Sequence, residues 1–75
     1  MHWMLDKAWR ASECWDYRAG ETTEDRLLAY TYKSIYSWRL VAKHNNSSLL
    51  EDVGDYATLA EAKAVAEALV AMGGK

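Results

Sequence analysis

The sequence predicts an α+β fold: an antiparallel three-stranded sheet in the order β-β-β-α, with one C-terminal helix packed on one face. Three observations carry this. A segment with both start and stop signals for a helix closes the chain. A long run of β-favouring residues with a period of two fills the middle, and a second alternating stretch precedes it. At 75 residues a single domain, 1–75, accounts for the chain. A core of that size leaves little room for a deep catalytic cleft.

The first strand is expected over about 8–18. There Trp9, Ala11, Glu13, Trp15 and Tyr17 alternate with Arg10, Ser12, Cys14, Asp16 and Arg18. Leu5 and Trp9, four apart, also suit a short helix, so residues 2–14 stay open between helix and strand. Ala19-Gly20-Glu21-Thr22 reads as a turn. Residues 23–28 form either a helical turn or the beginning of the next strand. That strand is expected over about 31–43, with Tyr30, Tyr32, Tyr36, Trp38, Leu40 and Ala42 on one face and Thr31, Lys33, Ile35, Arg39, Val41 and Lys43 on the other. His44-Asn45-Asn46-Ser47 is a turn, because Asn tolerates positive φ and bonds its own backbone. A third strand returns over about 48–53.

The helix is expected over 59–72. Thr58-Leu59-Ala60-Glu61 is a capping box, in which the Thr58 hydroxyl takes the Glu61 N–H and the Glu61 carboxylate reaches back. Strong helix formers follow, and Gly73-Gly74 supplies the stop. Leu59, Ala62, Val65, Ala66, Leu69 and Val70 share one side. That stripe is narrow and rich in alanine, so the helix should lie close against a flat partner such as a sheet.

The formal net charge is −2, neither basic enough for a general nucleic-acid binder nor acidic enough for a DNA mimic. The distribution is more informative. Between Arg26 and Lys43 there are four basic residues and no acid, whereas Glu51, Asp52, Asp55, Glu61 and Glu67 outweigh Lys63 and Lys75 further on. Cys14 is the lone cysteine, so no intrachain disulfide forms. No stretch is apolar enough to span a membrane and the first residues do not read as a signal peptide, so the expected location is cytoplasmic.

Motifs for chemistry are absent. There is no glycine-rich phosphate loop, and neither His2 nor His44 stands at metal-ligand spacing from Cys14. No catalytic residue, cofactor site or metal site is expected. Candidate contact residues fall into three groups. Trp3, near the terminus with Met4 and Leu5, is hard to bury; it either folds back onto the domain or makes a partner or self-association contact. Arg10, Arg18, Lys33, Arg39 and Lys43 would share one sheet face, able to follow a phosphate backbone or meet an acidic partner. Glu51, Asp52 and Asp55 could attract a basic one. In this register Tyr30, Tyr32, Tyr36 and Trp38 point away from the basic face, which leaves it without rings to stack on bases.

The stretch Tyr36-Ser37-Trp38-Arg39-Leu40-Val41-Ala42, an Asn turn, and then Tyr56-Ala57-Thr58 with Ala62 resembles a small bacterial domain of unknown function. That family reads W-R-L-x-A-x-N-G, a second strand, then Y-x-[ST]-x-x-x-A. The likeness spans about 30–70, with Asn45-Asn46-Ser47 in place of Asn-Gly, and it implies a β-β-α order and no activity. The ending Tyr56-x-Thr58-Leu59-x-Glu61-Ala62-Lys63 also looks like those of small phage and prophage accessory proteins, anti-CRISPR proteins among them. That style implies an inhibitor of a host defence complex in the bacterial cytosol.

The sequence therefore favours a non-catalytic protein-binding module that blocks a protein or nucleoprotein complex sterically or by charge. A small sheet-based nucleic-acid binder is the alternative. A self-associating structural subunit, a homodimer that buries Trp3 and an edge strand, is the third.

Overall fold

Among the described residues five strands, not three, precede the helix: β1 (His2–Leu5), β2 (Cys14–Arg18), β3 (Leu27–Lys33), β4 (Trp38–Ala42) and β5 (Glu51–Tyr56), followed by α1 (Leu59–Gly73). The computed structural model describes residues 1–9, 12–43 and 49–73. The strands form one antiparallel meander in the order β1-β2-β3-β4-β5. The α+β class and the closing helix agree with the sequence reading; the three-stranded sheet does not.

Each correction has a local cause. The expected strand over 31–43 would extend ~43 Å at ~3.3 Å per residue, longer than the molecule's greatest dimension of 34 Å. Instead the chain reverses at 34–37, where the Ser34 N–H donates to the Ser37 carbonyl at 2.7 Å. The first expected strand, 8–18, shortens to Cys14–Arg18. Upstream of it β1 forms from His2-Trp3-Met4-Leu5 and pairs back, Trp3 opposite Tyr17 and Leu5 opposite Trp15. Residues 23–28 divide between the two readings: the Asp25 N–H donates to the Thr22 carbonyl at 3.1 Å in a single hydrogen-bonded turn, and Leu27 and Leu28 begin β3. The Asp25 carboxylate accepts the Thr22 N–H at 2.9 Å and the Thr22 hydroxyl at 3.0 Å, closing a turn from which β3 departs at Leu27. The last strand runs Glu51–Tyr56 rather than 48–53, and the turn expected at 44–47 lies outside the described residues.

Hairpin pairing also changes which residues share a face. Lys33 opposes Trp38, so even-numbered residues of β3 stand with odd-numbered residues of β4: Tyr30 with Val41, Tyr32 with Arg39. The helix-side face carries Trp3, Trp15, Tyr17, Ala29, Thr31, Leu40 and Ala42 across the four strands. Ala62 and Ala66, fully buried, let α1 approach that face closely, and Val70 seals its far end. Ala66 and Val70 join Tyr17, Leu28, Ala29, Leu40 and Ala42 in the core cluster. Among the described residues Thr31 is the one polar side chain buried completely, and its hydroxyl donates to the Arg39 carbonyl at 2.7 Å. The Thr58 hydroxyl caps α1 by accepting the Glu61 N–H at 3.2 Å, as the sequence indicates.

Candidate protein interface

Three features meet at one end of the sheet: the β1–β2 connection, the β3–β4 reversal and the start of α1. The two connections are tied by the Lys33 N–H donating to the Glu13 carbonyl at 2.8 Å. Trp9 leans across β2 onto Tyr32, with ring centroids 5.5 Å apart, and its indole N–H donates to the Ser12 hydroxyl at 3.2 Å. Beside it lies an open cleft of about 510 Å³ walled by Leu5, Trp9 and Trp15 and edged by Asp6, Lys7 and Glu13. At the hairpin tip Ile35 and Tyr36 are 82% and 92% exposed. Tight hairpin turns favour Asn-Gly or a related pair. Two large apolar side chains there serve neither turn geometry nor the core, and such a local departure marks a functional position.

The expected basic face does not assemble. Lys33 lies at the helix-side end, with its ammonium 5.4 Å from the Trp38 ring, whereas Arg39 is on the opposite face. Arg39 pairs with Asp55 through Nε–Oδ1 at 3.1 Å and a guanidinium–Oδ2 contact at 3.3 Å. Arg18, on that same far face, holds Asp16 at 3.0 Å and the Asp25 carbonyl at 3.0 Å. Lys43 is half-buried just past β4, and Arg10 lies outside the described residues. Of the acidic trio, Asp52 and Asp55 share the far face with Val41 and Arg39, while Glu51 opposes Ala42 on the helix side. Trp3 folds back onto its own domain. It stacks on Tyr17 at 4.6 Å, its indole N–H donates to Glu67 at 2.7 Å, and Lys63 reaches over its ring.

The far face is not bare. Tyr30 and Tyr32 stack there with centroids 6.2 Å apart, and Cys14, Asp16 and Val41 are buried on it. Burial pushes the Tyr30 hydroxyl up, with Tyr32 beside it adding to the shift. Asp6, Cys14 and Asp16 bring their ligand atoms within 4.8 Å of one another. Those groups are engaged internally. The Cys14 thiol donates to Asp16 at 3.8 Å, and burial, with Asp16 next in effect, lifts it to about 12. Burial also raises the Asp16 carboxyl against the lowering pull of Arg18.

Of the exposed large apolar side chains among the described residues, Leu5, Trp9, Ile35 and Tyr36 gather at this end, while Met1, Leu49 and Met72 are exposed elsewhere; the sequence reading singled out none of the four as contacts. Reading 31–43 as one strand hid Ile35 and Tyr36 in a sheet. The serines that bracket them, Ser34 and Ser37, were the available signal. No protein-family profile matches the chain, and neither curated proteins nor solved structures show a significant match to it.

Proposed function

We propose that the chain is a non-catalytic protein-binding module whose contact surface is this aromatic end, with Ile35 and Tyr36 as anchors and the Leu5–Trp9–Trp15 cleft as the adjoining recess. The observation that supports the reading is the exposed Ile35-Tyr36 tip beside a tryptophan-walled cleft, since interfaces draw most of their energy from a few aromatic and aliphatic side chains. In the setting implied by its phage-like style, the module blocks a functional surface of a bacterial defence complex. The outward Tyr30–Tyr32 stack favours nucleic acid as the second reading, because bases stack on such rings. Arg18 and Arg39 are already paired with carboxylates on that face, which weakens its attraction for phosphate.

The test compares tagged wild type with an Ile35→Ser/Tyr36→Ser variant in pull-downs from bacterial lysate, with and without nuclease. The proposal expects a discrete protein captured by wild type, resistant to nuclease, and reduced at least about ten-fold by the variant, whose circular dichroism stays unchanged. Equal capture by both proteins rules out the hairpin tip. Nucleic acid alone, lost on nuclease treatment, transfers the function to the tyrosine face.

A further inference from the structure

The two edges of the sheet are protected very differently. The β5 edge carries Glu51, Asp52 and Asp55, a bulge opposite Leu40 and Val41, and Gly54 at φ 156°; charge and irregularity of this kind deter further strand pairing. The β1 edge, His2-Trp3-Met4-Leu5, carries neither a bulge nor an acidic residue, and its one ion-pair contact among the described residues is the exposed His2 Nε2–Glu21 pair at 3.3 Å. The Asp6 N–H donates inward to the Cys14 carbonyl at 2.8 Å. In an antiparallel ladder inward and outward residues alternate, so His2 and Met4 also face β2, while Trp3 and Leu5 turn their N–H and C=O groups outward. Among the described residues of the β1–β2 connection, Trp9 leans the other way, across β2 onto β3, and does not cover that edge.

We propose that β1 pairs with β1 of a second copy of this chain, antiparallel about a two-fold axis at Met4, to make a continuous ten-stranded sheet. Outward residues must oppose outward residues, so only registers centred on a single residue are allowed. Centred on Met4, every cross-strand pair is matched. Trp3 stands opposite the partner's Leu5 on the helix side, and each such pair exchanges both backbone hydrogen bonds. Met4 stands opposite the partner's Met4 on the far face, and His2 opposite the partner's Asp6, an imidazole against a carboxylate. Centred on Trp3, His2 would face Met4. Centred on Leu5, Met4 would face the Asp6 carboxylate. The axis is normal to the sheet, so both helices lie on one side and flank a trough floored by Trp3, Leu5 and Trp15 of each copy. The proposal is independent of the hairpin-tip interface, because it uses a different edge and different side chains.

The experiment is sedimentation of the full chain from tens to hundreds of micromolar, for wild type and for Met4→Lys, Met4→Glu and an equimolar mixture of those two variants. The expected result is a wild-type dimer, at least about ten-fold weaker association for each variant alone because like charges meet across the axis, and restored dimer in the mixture. A second measurement covers failure of these variants to fold. In a Cys14→Ala background, Met4→Cys should form an intermolecular disulfide far faster than Ala68→Cys, since directly opposed residues in a non-hydrogen-bonded pair lie within bridging distance. A wild-type monomer throughout the range overturns the proposal, as does a dimer that Met4→Lys leaves intact. Equal cross-linking rates at the two cysteine positions overturn it too.

Discussion

Cys14 shows how one side chain can be placed by burial rather than by chemistry. It lies on the sheet face opposite the helix yet is only 2% exposed, and its thiol donates to a carboxylate that is itself bound to Arg18. Desolvation, together with the neighbouring Asp16 and Asp6 charges, raises its pKa to about 12. The neutral thiol is therefore favoured in the folded state, and that contribution is complete below the unfolded value of 9.0 and is lost as pH rises from there toward 12. Two outcomes are expected. At pH 8 a thiol reagent should modify native Cys14 only at the rate of unfolding. Between pH 9 and 12, denaturant titrations should show wild type losing more stability than Cys14→Ala. Rapid labelling of the folded protein, or parallel pH profiles, would contradict the assignment.

At the scale of elements, α1 is the most self-sufficient segment, because its signals are local. Thr58 caps it, alanines predominate, and Gly73 ends it. Thr58→Ala should lower stability by about 1 kcal/mol, measured by urea denaturation, with Thr58→Ser close to wild type. No loss in the alanine variant would mean that packing of Ala62, Ala66 and Val70 alone fixes the helix start. The same locality explains what the sequence revealed and what it concealed. The helix and its buried stripe were legible because capping and periodicity lie within one segment. The strands were legible as β-favouring runs, but their breaks were not: alternation continues through Ser34-Ile35-Tyr36-Ser37 with no glycine or proline to interrupt it. Missing that reversal moved Tyr30 and Tyr32 to the wrong face and put Lys33 beside Arg39. β1 was concealed because His2-Trp3-Met4-Leu5 is too short to show a period. Of the candidate interface, the basic residues share a face only if alternation runs unbroken, and Trp3 stands out by its place near the terminus, whereas the exposed set depends on where the chain turns.

Across the whole molecule, stability is unevenly shared. The helix packs over β3, β4 and β5, and the core cluster lies beneath it. The β1–β2 side of that face is covered by long side chains instead, with Lys63 set between the Trp3 and Trp15 rings at 5.4 and 4.1 Å. Two leucines of identical chemistry sample the two regions. Leu40 is fully buried at the centre and Leu5 is 46% exposed beside the cleft. Leu40→Ala removes transfer energy and leaves a cavity, at a cost of about 2–5 kcal/mol. A chain of this length has a total of about 4–11 kcal/mol, so the variant should lose a large share of its stability and move its urea midpoint to a clearly lower concentration. Leu5→Ala exposes little new apolar surface to water and should change folding stability by no more than about 0.5 kcal/mol. Urea titrations at low micromolar concentration, where pairing through β1 does not contribute, provide the comparison. A cost for Leu5→Ala near that of Leu40→Ala would mean that the tryptophan-walled cleft is a second core. It would then be no free surface, and the protein-binding reading would lose its recess while keeping the hairpin tip.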